Sequence, residues 1–174
     1  MIKIGNSAKN ISIYSCQPKD KKELEEIINK RIESEGTNCD LNDIDTSLIT
    51  DMSWLFVKSM FVRSKFTGDI SKWNVSNVKY MTRMFYKSDF NGDISNWDVS
   101  NVEYMESMFI ESLFNQDISN WNVSNVEDMS YMFGWSRFNK DISSWKIRED
   151  CNTNCMFINN VIKEEYKPKS LQSI

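Results

Sequence analysis

Trp73, Trp97, Trp121 and Trp145 stand 24 residues apart, and Phe66, Phe90, Phe114 and Phe138 keep the same interval. Asp69, Asp93, Asp117 and Asp141 hold that register, as do Ile70, Ile94, Ile118 and Ile142, and Val75, Val99, Val123 and Ile147. A fifth, more worn copy appears when "DLNDIDTSLITDMSWLF" (40–56) is laid on "DISNWNVSNVEDMSYMF" (117–133), with Ile44 in the tryptophan position and Met52 matching Met129. Between the first and second copies lies a short excess around "VKSMFVRSKF". A period of this length gives units whose apolar face only their neighbours can cover, so the copies are expected to stack rather than fold separately.

Two rhythms run inside each unit. Ile70, Trp73, Val75 and Val78 follow the spacing of a leucine-rich strand segment, and the alternation around Trp73 and Val75 predicts a short strand. Val78, Met81, Met84 and Phe85 then recur at three or four residues, which predicts a short helix. Ser100 and Ser124 precede Glu103 and Glu127 by three positions, as in a capping box that would start that helix. "NG" at 91–92 and "TG" at 67–68 predict the turns that return the chain. The expected fold class is therefore α/β: a leucine-rich-repeat-like solenoid of about five such coils, each a short strand plus a short helix, with an N-terminal helical cap. Residues 1–39 would supply an N-terminal strand, read at "ISIY" (11–14), and the capping helix within "PKDKKELEEIINKRIESEG" (18–36). Leu24, Ile27, Ile28 and Ile32 form the apolar stripe of that helix, and Gly36 is its stop. The solenoid would run over 40–157, and 158–174, with Pro168, would be a loose tail.

The units "FNGDISNWDVSNVEYMESMF" (90–109) and "FNQDISNWNVSNVEDMSYMF" (114–133) resemble the BspA-like leucine-rich-repeat family of bacterial surface antigens and Mycoplasma lipoproteins, a domain of unknown function. The resemblance covers roughly residues 19–157, including the leading helix and "CDLNDIDTSLITDMSWLF". It implies a curved, non-catalytic repeat scaffold whose exposed surfaces bind proteins, with no catalytic residues to carry over. Surface members of that family enter through a signal peptide or lipobox; neither is seen here.

Chemistry is constrained by what the chain lacks. The absence of histidine removes the commonest general base and most zinc sites. No phosphate-cradling glycine loop is present among five glycines, so no enzyme and no cofactor is expected. A column of equivalent aspartates has no means of splitting its pKa values for acid–base work, and is better read as satisfying backbone amides than as a metal row. Cys16, Cys39, Cys151 and Cys155 are too sparse for a disulfide scaffold, and "CNTNC" has no second close pair with which to complete a zinc site. A net charge of −4 and the lack of any long apolar window argue against nucleic acid and membrane insertion as partners.

Another protein remains as the expected partner. The tryptophans of the repeat are read as core, whereas Trp135 stands where other units have Lys87 and Glu111 and is a candidate exposed anchor. On the strand's other face, Lys72, Asn96 and Asn120, and Asn74, Asp98, Asn122 and Lys146, would form a polar concave binding surface. Lys58, Arg63 and Lys65 in the excess would add selectivity. The expected function is a non-catalytic, intracellular protein-binding module acting in a bacterial cytoplasm. Alternatives are a mobile-element-encoded inhibitor of a bacterial defence nuclease, of anti-CRISPR type and acting in the host cytoplasm, and a surface adhesin lacking its signal.

Overall fold

The structure, a computed structural model, describes residues 14–57, 59 and 62–172; Lys58 and residues 11–13 of "ISIY" lie outside them. Helix α1 (Lys21–Glu35) begins where local chemistry favours it. The Asp20 carboxylate accepts the Glu23 N–H at 2.9 Å, and the Glu23 carboxylate accepts the Lys19 N–H at 3.0 Å. That reciprocal pair satisfies amides that a helix start would otherwise orphan. Gly36 closes the helix at φ 93°, a conformation that costs a side chain dearly. Leu24 and Ile28 are buried and Ile27 and Ile32 are half-buried beside them, as the stripe predicts.

Beyond α1, the expected α/β solenoid of strand-plus-helix coils is overturned. Among the described residues there is no second α-helix and no extended strand, only isolated parallel bridges and two short 3-10 turns, Glu164–Tyr166 and Lys169–Leu171. Among the described residues no sheet forms, so the concave sheet face expected from the strand pattern is not found there either. Most of the chain consists of turns and irregular backbone.

The destination of the backbone hydrogen bonds explains why. Over residues 105–111 every second amide leaves the coil: Met105, Ser107, Phe109 and Glu111 donate to the carbonyls of Asp128, Ser130, Met132 and Gly134, at 2.8 to 2.9 Å. The amides between them close tight turns, Met108 onto Met105, Ile110 onto Ser107 and Ser112 onto Phe109, at 3.1 to 3.2 Å. Of the amides at 105–112 only that of Glu106 is without such a bond, so the ladder of i to i−4 bonds that defines a helix cannot form. The third residues of the Met105–Met108 and Phe109–Ser112 turns take left-handed φ values, Ser107 (56°) and Glu111 (53°), like Arg83 and Lys87 one coil earlier and Tyr131 and Trp135 one coil later. Such a ribbon still turns Met105, Met108 and Phe109 inward, which is why its apolar spacing imitates a helix.

Other expected local signals also take different roles. Ser100 is no helix cap: its hydroxyl and amide both bond the Asp98 carboxylate, at 2.6 and 3.1 Å, while the Glu103 N–H reaches Lys79 O at 2.9 Å. Thr67-Gly68 and Asn91-Gly92 form no turn; Asn91 Oδ1 instead accepts the Asn115 N–H across coils at 2.8 Å. Around Trp73 and Val75 burial alternates as read, but turns at Ile70–Trp73 and Val75–Val78 flank the pair in place of a strand ladder.

Side-chain columns run along the stacked coils. Phe85, Phe109, Phe133 and Phe157 stack at 5.6 to 5.8 Å between ring centroids, and each of the first three also meets the next phenylalanine of its own chain segment, as in Phe109–Phe114 at 4.3 Å. The repeat tryptophans Trp73, Trp97, Trp121 and Trp145 are buried, and the indole N–H groups of the last three bond carbonyls of the preceding coil: Trp97 to Ile70, Trp121 to Ile94 and Trp145 to Ile118, at 3.1 to 3.2 Å. Hydrophobic burial thus comes with polar satisfaction, as a buried indole requires. Asn77, Asn101 and Asn125 form an external counterpart, each donating its amide to a serine carbonyl one coil back at 2.6 to 2.8 Å. Residues 161–172 are not a loose tail. Ile162 and Pro168 are buried, and the Ile142 N–H bonds Tyr166 O at 2.9 Å.

Candidate functional site

The residues expected to bind a partner fall into two groups. Lys72, Asn96, Asn120 and Lys146 are exposed, as are Asn74, Asp98 and Asn122. They flank the buried tryptophans. Three of them, however, are already engaged: Asn74, Asp98 and Asn122 each hold the amide and hydroxyl of the serine two residues on, with hydroxyl contacts of 2.6 to 2.8 Å. The Ser100 hydroxyl, and then its amide, keep the Asp98 carboxylate below the usual aspartate range. These side chains hold turns in place before they meet any ligand.

The second group is brought together by the stacking. Arg63, Glu111 and Trp135 line one open recess, although the coils that carry them are far apart in sequence. Trp135 is 45 % exposed, and its N–H bonds Ile158 O at 2.8 Å while φ is held at 52°. Lys87 lies in the same column and pairs with Glu111 at 3.4 Å. Arg63 and Lys65 both approach Asp89, at 3.6 and 2.8 Å, and Arg63 also donates to Ser88 O at 3.3 Å. Lys58 is outside the described residues. Asp89 was missed in the sequence. Its signal was weak, since the positions 24 residues before and after it, Lys65 and Leu113, share none of its chemistry.

The repeated aspartates do what an Asp at a turn commonly does. Asp69, Asp93, Asp117 and Asp141 each accept the N–H of the serine two residues later at 2.9 Å. For Asp69, Asp117 and Asp141 that backbone bond is the main cause of a lowered pKa. All four cysteines are free thiols, and burial pushes those of Cys39 and Cys151 upward. Among the described residues no group of three or more Cys, Asp or Glu side chains could hold a metal ion, and no helix is long and apolar enough to cross a membrane.

No curated protein and no solved structure matches the chain. A family model does, twice and with overlap, over residues 22–113 and 57–167, as a sequence with a repeating pattern allows. Between them these matches span the helix and all the stacked coils, so the chain belongs to the family described as Mycoplasma protein of unknown function, DUF285.

Proposed function

We propose that the protein is a non-catalytic module that binds another protein, through the recess of Arg63, Glu111 and Trp135. The observation that carries this reading is the exposed indole of Trp135, set beside a guanidinium and an ion-paired carboxylate. Trp and Arg are the side chains most enriched where interfaces concentrate their energy, and a ribbon hydrogen-bonded to its neighbouring coils holds Trp135 at little ordering cost. An intracellular setting belongs to the same proposal, as does the narrower kinship to BspA-like repeats, which rests on the units at 90–109 and 114–133.

The test is affinity capture from the native cell, followed by titration of the captured protein against wild type and Trp135→Ala. We expect affinity to fall at least tenfold, about 1.4 kcal/mol or more. Folding stability should change by no more than ~0.5 kcal/mol, because the side chain is on the surface. Equal affinity for both forms would remove the recess from the interface.

A further inference from the structure

The turn ribbons of successive coils join into columns of peptide groups pointing one way. Trp54 N–H bonds Thr82 O, Arg83 N–H bonds Glu106 O, Ser107 N–H bonds Ser130 O and Tyr131 N–H bonds Asn154 O. Each carbonyl in that chain belongs to the same peptide unit as the next donor. Parallel columns pass through Met81, Met105 and Met129, through Phe85, Phe109 and Phe133, and through Lys87, Glu111 and Trp135. This is the head-to-tail alignment found inside an α-helix, here running across coils.

At the last full coil the columns end on Thr153, Cys155, Phe157 and Asn159, whose backbone N–H groups have no partner among the described residues. The carbonyls of residues 152–158 are all used. Those of Asn152, Asn154, Met156 and Ile158 accept from the preceding coil, and those of Thr153, Cys155 and Phe157 close its own turns. Over those residues the edge therefore offers donors without acceptors. An ordinary extended strand offers both along one edge, and two copies of a donor-only edge cannot pair with each other.

The opposite end of the stack is its complement. The carbonyls of Asp51, Ser53 and Leu55 accept nothing among the described residues. There, however, α1 packs against the stack, with Leu24 and Ile28 in the core and Lys21 3.5 Å from Asp51. A second copy of this chain would meet α1 there if it docked head to tail.

We infer that the Thr153–Asn159 edge is a docking site for a coil of the same repeat type carried by another polypeptide whose first coil lacks such a helix. Its alternate carbonyls would continue the four columns, in the register that already joins residues 105–111 to 128–134. At the flank the polarity reverses, as where Glu127 N–H bonds Glu103 O at 2.7 Å. Cys151 O, in the position equivalent to Glu103 O and Glu127 O, would then receive an N–H from the same incoming coil. Donor and acceptor order along the edge thus selects this kind of partner over an arbitrary strand.

The probe is a synthetic peptide of residues 125–138, "NVEDMSYMFGWSRF", which carries the acceptors that meet the preceding coil in the structure. Amide exchange of the full chain is followed by NMR with the peptide at saturation. Exchange at Thr153, Cys155, Phe157 and Asn159 should slow about tenfold or more, and a scrambled peptide should leave it unchanged. The same protection in Trp135→Ala would separate this site from the recess. Unchanged exchange, or equal protection by the scrambled peptide, would overturn the inference. So would self-association that protects these amides without any peptide, because the occupant would then be a second copy.

Discussion

Helix α1 and the ribbon at 105–112 carry the same apolar spacing, three and four residues apart, yet only one is a helix. Leu24 and Ile28 sit one turn apart in α1, behind a capped start and before a glycine stop. Met105, Met108 and Phe109 are equally buried, but their backbone lies between two other coils that accept and supply hydrogen bonds. An isolated segment must bond to itself, and the α-helix is the way to do so; a segment flanked on both sides can bond outward. The difference teaches that apolar periodicity reports which side chains turn inward and leaves open where the amides go.

Removing a core column should have the largest effect. Trp121→Ala takes out a buried indole together with its bond to Ile94 O, and should cost about 3–5 kcal/mol by denaturant unfolding. A loss under ~1 kcal/mol would mean that the stack does not rely on its columns. Glycine then separates the two backbones. Glu26→Gly, exposed in α1, should cost about 1 kcal/mol. Glu111→Gly should cost nearly nothing, since φ there is 53° and glycine relieves it, whereas Glu111→Val should cost about 1–2 kcal/mol. Equal losses for the two glycine variants would break the distinction drawn here.

Acid should produce the smallest change. The Asp117 and Asp141 carboxylates are held low mainly by serine amides. A carboxylate whose folded pKa lies below its unfolded value stabilises the fold above the ordinary aspartate range, near pH 4, and that stability is lost as pH falls through the folded value. Asn fills the corresponding acceptor role at Asn74 and Asn122. Asp117→Asn should therefore keep the turn while flattening the fall in melting temperature on acidification. An unaltered acid profile would show that the carboxylate column contributes nothing to it.

The proposed site was only half legible. Trp135 announced itself by interrupting a column otherwise filled with charge, and Arg63 by lying in the five-residue excess. That the two share a recess with Glu111 follows from stacking alone. Asp98 and Asn122 were legible as exposed, but the serines that engage them are seen only in three dimensions.

By itself the sequence determined the 24-residue period, the identity of the buried columns, and a first helix with its glycine stop, because burial and capping depend on side-chain chemistry repeated at fixed intervals. Only the tertiary structure decided that the coils are ribbons of turns. Whether a backbone amide bonds within its own segment or across to the next depends on what lies 23 residues further along the chain and a few ångströms away in space, and no local pattern of side chains encodes that choice.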